Sequence, residues 1–326
     1  MSITIKFEFH LHISRTESRK DVRKENKSSI ADYLDSAEKE VQRQHLLKRS
    51  STIGNYRTAL CSLRQYIKEV CPAGAVIGEE LMEGYEQWLR NRRLTLNTIS
   101  CYMRALRSLM VKTVGEEAKS FFLKTFTGSE KTQKRAIAPG DISKIQDITL
   151  KPGSQLSLAR DLFLFSFYAL GMPFVDMALL RKQQVGESEI IYSRQKTGQR
   201  ICVPLEPCLR TIIRRYQTPD SDYVFPILQA AEGDKHYKTY QNALRRYNRS
   251  LKRLAQMAHI PHNLTSYTAR HSWASSAFRE NVGLPAISKA LGHSNPQNTL
   301  TYIRQINDNS LQKASRSVIK SVGRRC

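Results

Sequence analysis

The sequence predicts a mainly α protein: a four-helix domain followed by a mostly helical domain with a small β-hairpin or sheet. Three observations carry this. Four amphipathic helical patterns crowd residues 28–126; a polar, basic stretch follows at Thr127–Arg135; and the helical patterns beyond it are interrupted by one short alternating segment. The 326 residues suit about two domains of roughly 150 residues each.

In order along the chain, residues 1–27 read as a strand and linker. Ile3, Ile5, Phe7, Phe9, Leu11 and Ile13 alternate with polar residues, the period of a half-buried strand. The domain 28–126 then holds four stripes at helical spacing: Ile30, Tyr33, Leu34, Ala37, Val41; Ile53, Tyr56, Leu60, Leu63, Ile67; Leu81, Met82, Tyr85, Trp88, Leu89; and Ile99, Tyr102, Met103, Leu106, Leu109, Met110. Thr95 stands where the last of these needs an N-cap. Arg92, Arg93, Arg104 and Arg107 fall on or between the last two helices and suit either phosphate contact or a solvated face.

The domain 127–326 opens on the linker TGSEKTQKR. Ser157–Leu170 is nearly all apolar and too short to span a bilayer, as expected of a buried helix. Ile190-Ile191-Tyr192 and Ile201-Cys202-Val203 read as two strands around the turn Lys196-Thr197-Gly198. A long helix is expected over 236–258. Its apolar stripe is Tyr240, Leu244, Tyr247, Leu251 and Leu254; Arg245, Arg246, Arg249, Lys252 and Arg253 crowd the other faces. Three shorter helices are expected over 265–279, 285–291 and 296–304.

Charge narrows the function. Lys and Arg number 52 against 29 Asp and Glu, a net charge of +23, which favours a polyanionic partner, above all nucleic acid. The basic residues spread along the chain instead of flanking one anchor, so no membrane partner is expected, and without a recognisable secretory signal the expected location is cytoplasmic. Six scattered cysteines form no Cys-x-x-Cys and read as reduced thiols. His10 and His12, like His259 and His262, lack further ligands at metal-binding spacing, and no glycine-rich phosphate loop is present. No metal and no cofactor are therefore expected.

The C-terminal third carries the chemistry. It contains Tyr267-Thr268-Ala269-Arg270-His271, then Leu291-Gly292-His293-Ser294, and Tyr302 nine residues after His293. Lys196 lies in the hairpin turn ahead of Val203-Pro204-Leu205. This order and spacing resembles the tyrosine recombinase (phage integrase) family over about residues 28–318. The wording around Gly171-Met172-Pro173 and Tyr267–Ala274 is most similar to recombinases of Bacteroidetes mobile and invertible elements. The resemblance implies a core-binding, SAM-like domain at 28–126 and a catalytic domain at 127–326. It implies site-specific cutting and rejoining of DNA through a 3′-phosphotyrosyl intermediate, independent of ATP and metal. Tyr302 is then the nucleophile, Arg270 the stabiliser of charge on the phosphate, Lys196 the general acid for the leaving 5′-oxygen, and His293 a hydrogen-bonding partner of phosphate or nucleophile. Tyr267 stands where the family usually has His. The implied partners are double-stranded recombination sites, a homo-tetramer assembled on them, and accessory DNA-bending proteins.

Two positions depart from the family pattern. Pro173 stands where the family's first arginine belongs, with Asp176 matching the acidic residue after it, and Arg160, on the preceding helix, is the candidate to replace that arginine. Tyr267 can donate a hydrogen bond but is a poor general base near neutral pH. The rival readings are a catalytically impaired DNA-binding protein of the same fold and a relaxing enzyme like the type IB topoisomerases. The 27 residues ahead of the first helix favour a simple-site enzyme, such as an invertase, over an integrase with separate arm sites.

If the +23 balance serves DNA, affinity falls steeply with salt. The expected log–log slope is about −0.9 for each phosphate neutralised. A salt titration of binding to a defined duplex measures it, and a flat response would remove the electrostatic role of the charge.

Overall fold

Each of the four N-terminal stripes closes into a helix whose buried face is the one the spacing marks. The computed structural model of the chain describes residues 30–45, 50–71, 75–130, 136–228, 235–293, 295 and 299–300. The helices are α1 (Ile30–His45), α2 (Ser50–Val70), α3 (Glu79–Asn91) and α4 (Leu96–Thr113). Tyr33, Ala37 and Val41 of α1 meet Ile53, Tyr56 and Leu63 of α2, Met82, Tyr85 and Leu89 of α3, and Ile99, Met103 and Leu106 of α4 in one core. Thr95 caps α4, its side chain accepting from Thr98 N at 3.3 Å. A 3₁₀ segment, Glu116–Phe122, adds Ala118 and Phe122 to this core. The sequence did not mark it, since seven residues are too few to show a period. The strand expected at residues 3–13 lies outside the described residues.

The chain divides into two compact units at Lys131/Thr132, inside the polar stretch that follows α4. The second unit is built around one helix that is apolar on nearly every side. After α5 (Pro139–Gln146), α6 (Gln155–Tyr168) buries Ala159, Leu162, Phe163, Leu164 and Phe165. Ser154 caps it by accepting from Ser157 N at 3.1 Å. The short α7 (Phe174–Ala178) is tied to the long α9 (Lys235–Met257) by the stacked rings of Phe174 and Tyr247, 4.7 Å apart. Between α7 and α9 come the strands β1 (Glu189–Ser193) and β2 (Arg200–Pro204), then α8 (Pro207–Tyr216). The strands form an antiparallel pair with Ile190 opposite Val203 and Tyr192 opposite Ile201, all four buried on one face.

On α9, Tyr247, Leu251 and Leu254 are buried, while Arg245, Arg246, Arg249, Lys252 and Arg253 are exposed. The chain ends its described part with α10 (Thr268–Arg279), α11 (Leu284–Leu291) and the helical residues Thr299 and Leu300. Helix α10 begins three residues later than its pattern suggests, because Thr265 and Thr268 bond to each other to form the entry turn: Thr265 N donates to Thr268 Oγ1 at 2.9 Å, and Thr268 N to Thr265 O at 2.9 Å. No helix among the described residues is long and apolar enough to cross a membrane.

Helix α6 touches α8, α9 and α10, so truncating it should loosen the whole second unit. Phe163, fully buried, is the sharpest test. Phe163→Ala is expected to cost about 3–5 kcal/mol through lost burial and the cavity left behind. Urea unfolding should show this as a lower midpoint for the second unit.

Candidate active site

The site begins where α6 ends. Leu170 and Gly171 both take positive φ, 55° and 73°, which turns the chain sharply into Met172-Pro173. A side chain at 171 would also collide. A Cβ there would lie 3.0 Å from both Cα and Cγ of Arg270, so glycine is needed for shape as well as for conformation. Pro173 is buried as the N-cap of α7 and brings no charge to the site; its carbonyl accepts from Asp176 N and Met177 N, each at 3.0 Å.

Arg270, on the first turn of α10, is 2% exposed and fills the space that Gly171 leaves. Its Nη1 donates to Gly171 O at 2.9 Å. Its Nη2 donates to Leu291 O and reaches His293 Nε2 at 3.2 Å. An arginine only donates. His293 Nε2 therefore accepts, and the ring proton sits on Nδ1, which donates to Thr299 Oγ1 at 2.8 Å.

Helix α11 ends at this point in a left-handed residue, Gly292, with φ 61°. Gly292 N donates to Lys289 O at 3.0 Å and His293 N to Ser288 O at 3.1 Å. These bonds leave the Leu291 carbonyl turned outward from the helix end, an acceptor at the negative pole of the helix.

A second guanidinium takes that carbonyl. Arg194 Nη1 also donates to Leu291 O, while Arg194 Nε lies 3.0 Å from Asp176 Oδ2. Arg194 is 6% exposed and Asp176 3%. Its stem lies against Gly292, where a Cβ would come within 2.9 Å of Arg194 Cγ. The backbone of Arg194 closes the hairpin turn: Arg194 N donates to Gln199 O and Gly198 N to Arg194 O, each at 2.8 Å. The turn is pinned on both sides. Gln195 N donates to Asp176 Oδ1 at 2.9 Å, and Thr197 Oγ1 to Gly292 O at 3.2 Å. Lys196 is exposed at the tip between these anchors.

The electrostatics follow from this crowding. Burial, then the charges of Arg270, Arg194 and Lys196, push the His293 pKa down to about 4. Asp176 is pushed up by burial, against the opposing pull of Gln195 N–H, Arg194 and Arg270.

The structure thus brings Arg270 and His293 into direct contact and sets Lys196 on a turn whose charge acts on His293. Tyr302 lies outside the described residues. Tyr267, at the N-cap of α10, is 45% exposed, with its ring 6.4 Å from that of His271. Arg160 does not join the cluster; its Nε donates to Asp161 at 2.9 Å and its Nη1 to Ile148 O at 2.8 Å. Sequence reasoning missed Arg194. The signal was present in the strand period: Ile190, Tyr192 and Arg194 share parity, and all three are buried.

The phage integrase family profile matches residues 137–308, and the phage integrase SAM-like domain matches residues 29–123. The tyrosine recombinase XerC of Rickettsia canadensis (strain McKiel) is 24% identical over 155 residues, which are 46% of this chain and 48% of that protein. The chain thus spans about half the length of this curated relative. Among solved structures, the Tn1549 transposon integrase in complex with transposon right end DNA superposes with a TM-score of 0.61 at 13% identity, covering 88% of this chain and 99% of that one. A lambda integrase dimer bound to a COC′ core site gives 0.62 at 12% identity, covering 84% and 95%. Both likenesses are of fold.

With a pKa of about 4, His293 stays neutral at pH 6, where an ordinary histidine is largely protonated. Between pH 6.5 and about 4 the unfolded chain binds a proton that the folded site refuses, so this residue lowers stability as pH falls through that window. An NMR titration of the His293 ring is expected to show the neutral Nδ1–H form at pH 6. A midpoint near 6.5 would contradict the enclosed site.

Proposed function

The chain belongs to the phage integrase family, and on that premise we propose that it is a site-specific DNA recombinase that cuts and rejoins DNA through a 3′-phosphotyrosyl intermediate. The observation that carries the reading is the contact of Arg270 with His293 at 3.2 Å beside the hairpin that bears Lys196. In this reading Tyr302 Oη attacks the scissile phosphorus. The bond from phosphorus to the 5′-oxygen breaks as the bond to tyrosine forms, and Lys196 protonates the leaving oxygen. Lys196 suits the role because it is exposed on a turn held at both ends. Arg270 stabilises charge on the non-bridging oxygens; being fixed by Gly171 O and Leu291 O, it needs no reorganisation when that charge develops. His293 is neutral at neutral pH; in the tautomer that donates to Thr299, its Nε2 lone pair can accept from the Tyr302 hydroxyl in exchange for Arg270, while a bond to a phosphate oxygen needs the tautomer with the proton on Nε2. Attack by the 5′-hydroxyl of a second strand reverses the chemistry and releases Tyr302, so the bond energy is kept and no ATP is consumed.

The exposed arginines and lysine of α9, with the net charge of +23, support DNA as the partner. Not every basic residue is available for it. Arg92 is engaged by Glu69 at 3.3 Å and lies 4.1 Å over the Trp88 ring, so its role is local. Assembly as a tetramer on the DNA, and a biological role in inversion or integration of a mobile element, complete the proposal; the wording of the Tyr267–Ala274 box supports the latter. A second reading, a DNA-binding protein impaired in cleavage, is favoured by the uncharged Pro173 and the exposed Tyr267.

A nicked suicide duplex separates the two. The wild type is expected to become covalently joined to the 3′ end. Tyr302→Phe should abolish capture with folding and DNA affinity little changed. Arg270→Ala should slow cleavage about 10²–10³-fold, or about 3–4 kcal/mol, as for other oxyanion stabilisers. A peptide map that put the label on Tyr267, or a 5′-linked adduct, would sink the assignment.

A further inference from the structure

Two buried guanidinium groups meet at the Leu291 carbonyl, and the chemistry so far uses only Arg270. Arg194 is as enclosed as a structural ion pair, yet its partners do not use up its fork. Nε faces Asp176 and Nη1 faces Leu291 O, while Nη2 donates to none of the described residues. A guanidinium offers five donors; here Nε is buried at ion-pair distance from Asp176 with no hydrogen bond of its own, and Nη2 is left for a further acceptor.

The charges are unbalanced in the same direction. Among the described residues, Arg194 and Arg270 bring two buried positive charges and Asp176 at most one negative charge. Neutral His293 supplies no counter-charge, and Lys196, exposed two residues from Arg194, adds to the positive field from outside. A buried excess of positive charge is unfavourable unless an anion completes it. A phosphodiester carries one negative charge and two non-bridging oxygens, which suits two forks converging from different elements. Pro173 cannot supply such a fork; the hairpin can.

We propose that Arg194 is a catalytic residue whose Nη2 donates to a non-bridging oxygen of the scissile phosphodiester, forming with Arg270 a two-guanidinium clamp. Arg270 reaches the phosphate from α10 and Arg194 from the mouth of the hairpin. Asp176 holds the Arg194 fork in orientation through Nε, as the Leu291 carbonyl does through Nη1. The general acid and one phosphate-binding cation then ride on a single turn, so one hairpin places both. This rests on the recombinase reading above.

The test compares wild type, Arg194→Ala and Arg194→Lys in single-turnover cleavage of two suicide duplexes. One carries the ordinary scissile phosphate. The other carries a methylphosphonate, in which a methyl group replaces one non-bridging oxygen and removes the negative charge. On the phosphate, Arg194→Ala is expected to be slower than wild type by about 10²–10³-fold. On the methylphosphonate, where there is no charge to stabilise, the gap should shrink to about tenfold or less. Affinity for the intact duplex should stay within a few-fold. If Arg194→Ala melts early, Arg194→Lys serves for the same comparison, since it keeps the charge but lacks the fork. Equal losses on both substrates would show that Arg194 merely holds the Leu291–Gly292 turn and would overturn the proposal, as would undiminished cleavage of the phosphate. Failure of the wild type to form any covalent adduct while still binding the duplex would overturn the recombinase reading itself, and this proposal with it.

Discussion

The site depends on one acceptor, the carbonyl of Leu291 at the end of α11. A helix leaves its last carbonyls without internal partners, and its C-terminal pole is the one that attracts cations. Here the left-handed Gly292 stops the helix with that carbonyl available, and Arg194 and Arg270 both donate to it. The hairpin at 189–204, α10 and the end of α11 meet at this one oxygen, and the bond from Thr197 to Gly292 O reinforces the contact. Two glycines make the approach possible. Gly171 leaves room for the stem of Arg270 and Gly292 for that of Arg194, and each sits at a positive φ that a side chain would strain. The Gly in Leu291-Gly292-His293 therefore does two things at once: it ends a helix and it admits a guanidinium.

Electrostatic preorganisation follows from the same arrangement. Guanidinium groups fixed by backbone acceptors do not need to reorient when charge grows on a phosphate, which is the condition under which such groups lower a barrier most. The cost of holding them is met partly by Asp176, which ion-pairs with Arg194 at 3.0 Å from Nε through one oxygen and accepts from Gln195 N–H on the other. Asp176 thereby fastens the turn that carries Lys196. It touches no reacting atom in the proposed chemistry, yet the position of the general acid depends on it. Burial, and after it the surrounding positive charge, keeps His293 neutral, with its proton on the side of Thr299.

Much of this was legible in the residues. The four stripes of the first unit gave helices with the expected buried faces, because their apolar residues recur at helical spacing over two or more turns. The hairpin was legible from two β-branched runs around a glycine-bearing turn, and Ile190, Tyr192, Ile201 and Val203 are buried as the alternation requires. Among the short helices, α11 was legible, while α5 and α8 were not. Helix α5, with 8 residues, is too short for a clear stripe, and α8 was passed over although its Leu209, Ile212 and Ile213 recur at helical spacing. In the site, the boxes around Arg270 and His293 were visible as strings, but their contact at 3.2 Å is a product of helix packing that no local pattern encodes. Arg194 was overlooked because a basic residue beside a turn reads as solvated, although its strand parity pointed inward.

That parity bears on the departure at residue 173. A proline there is compatible with the fold, since it caps α7 and needs no partner for a backbone N–H. What the proline removes is a cation delivered from the α6–α7 turn. What the hairpin supplies is a cation delivered from another element and hydrogen-bonded to the same carbonyl as Arg270. The requirement imposed by a phosphodiester concerns charge and fork geometry at a point in space, not the segment that provides them. A missing arginine in a sequence motif is therefore weak evidence for a dead enzyme where a guanidinium can arrive from another element. In this chain the proposed one is that of Arg194, buried two residues from Lys196.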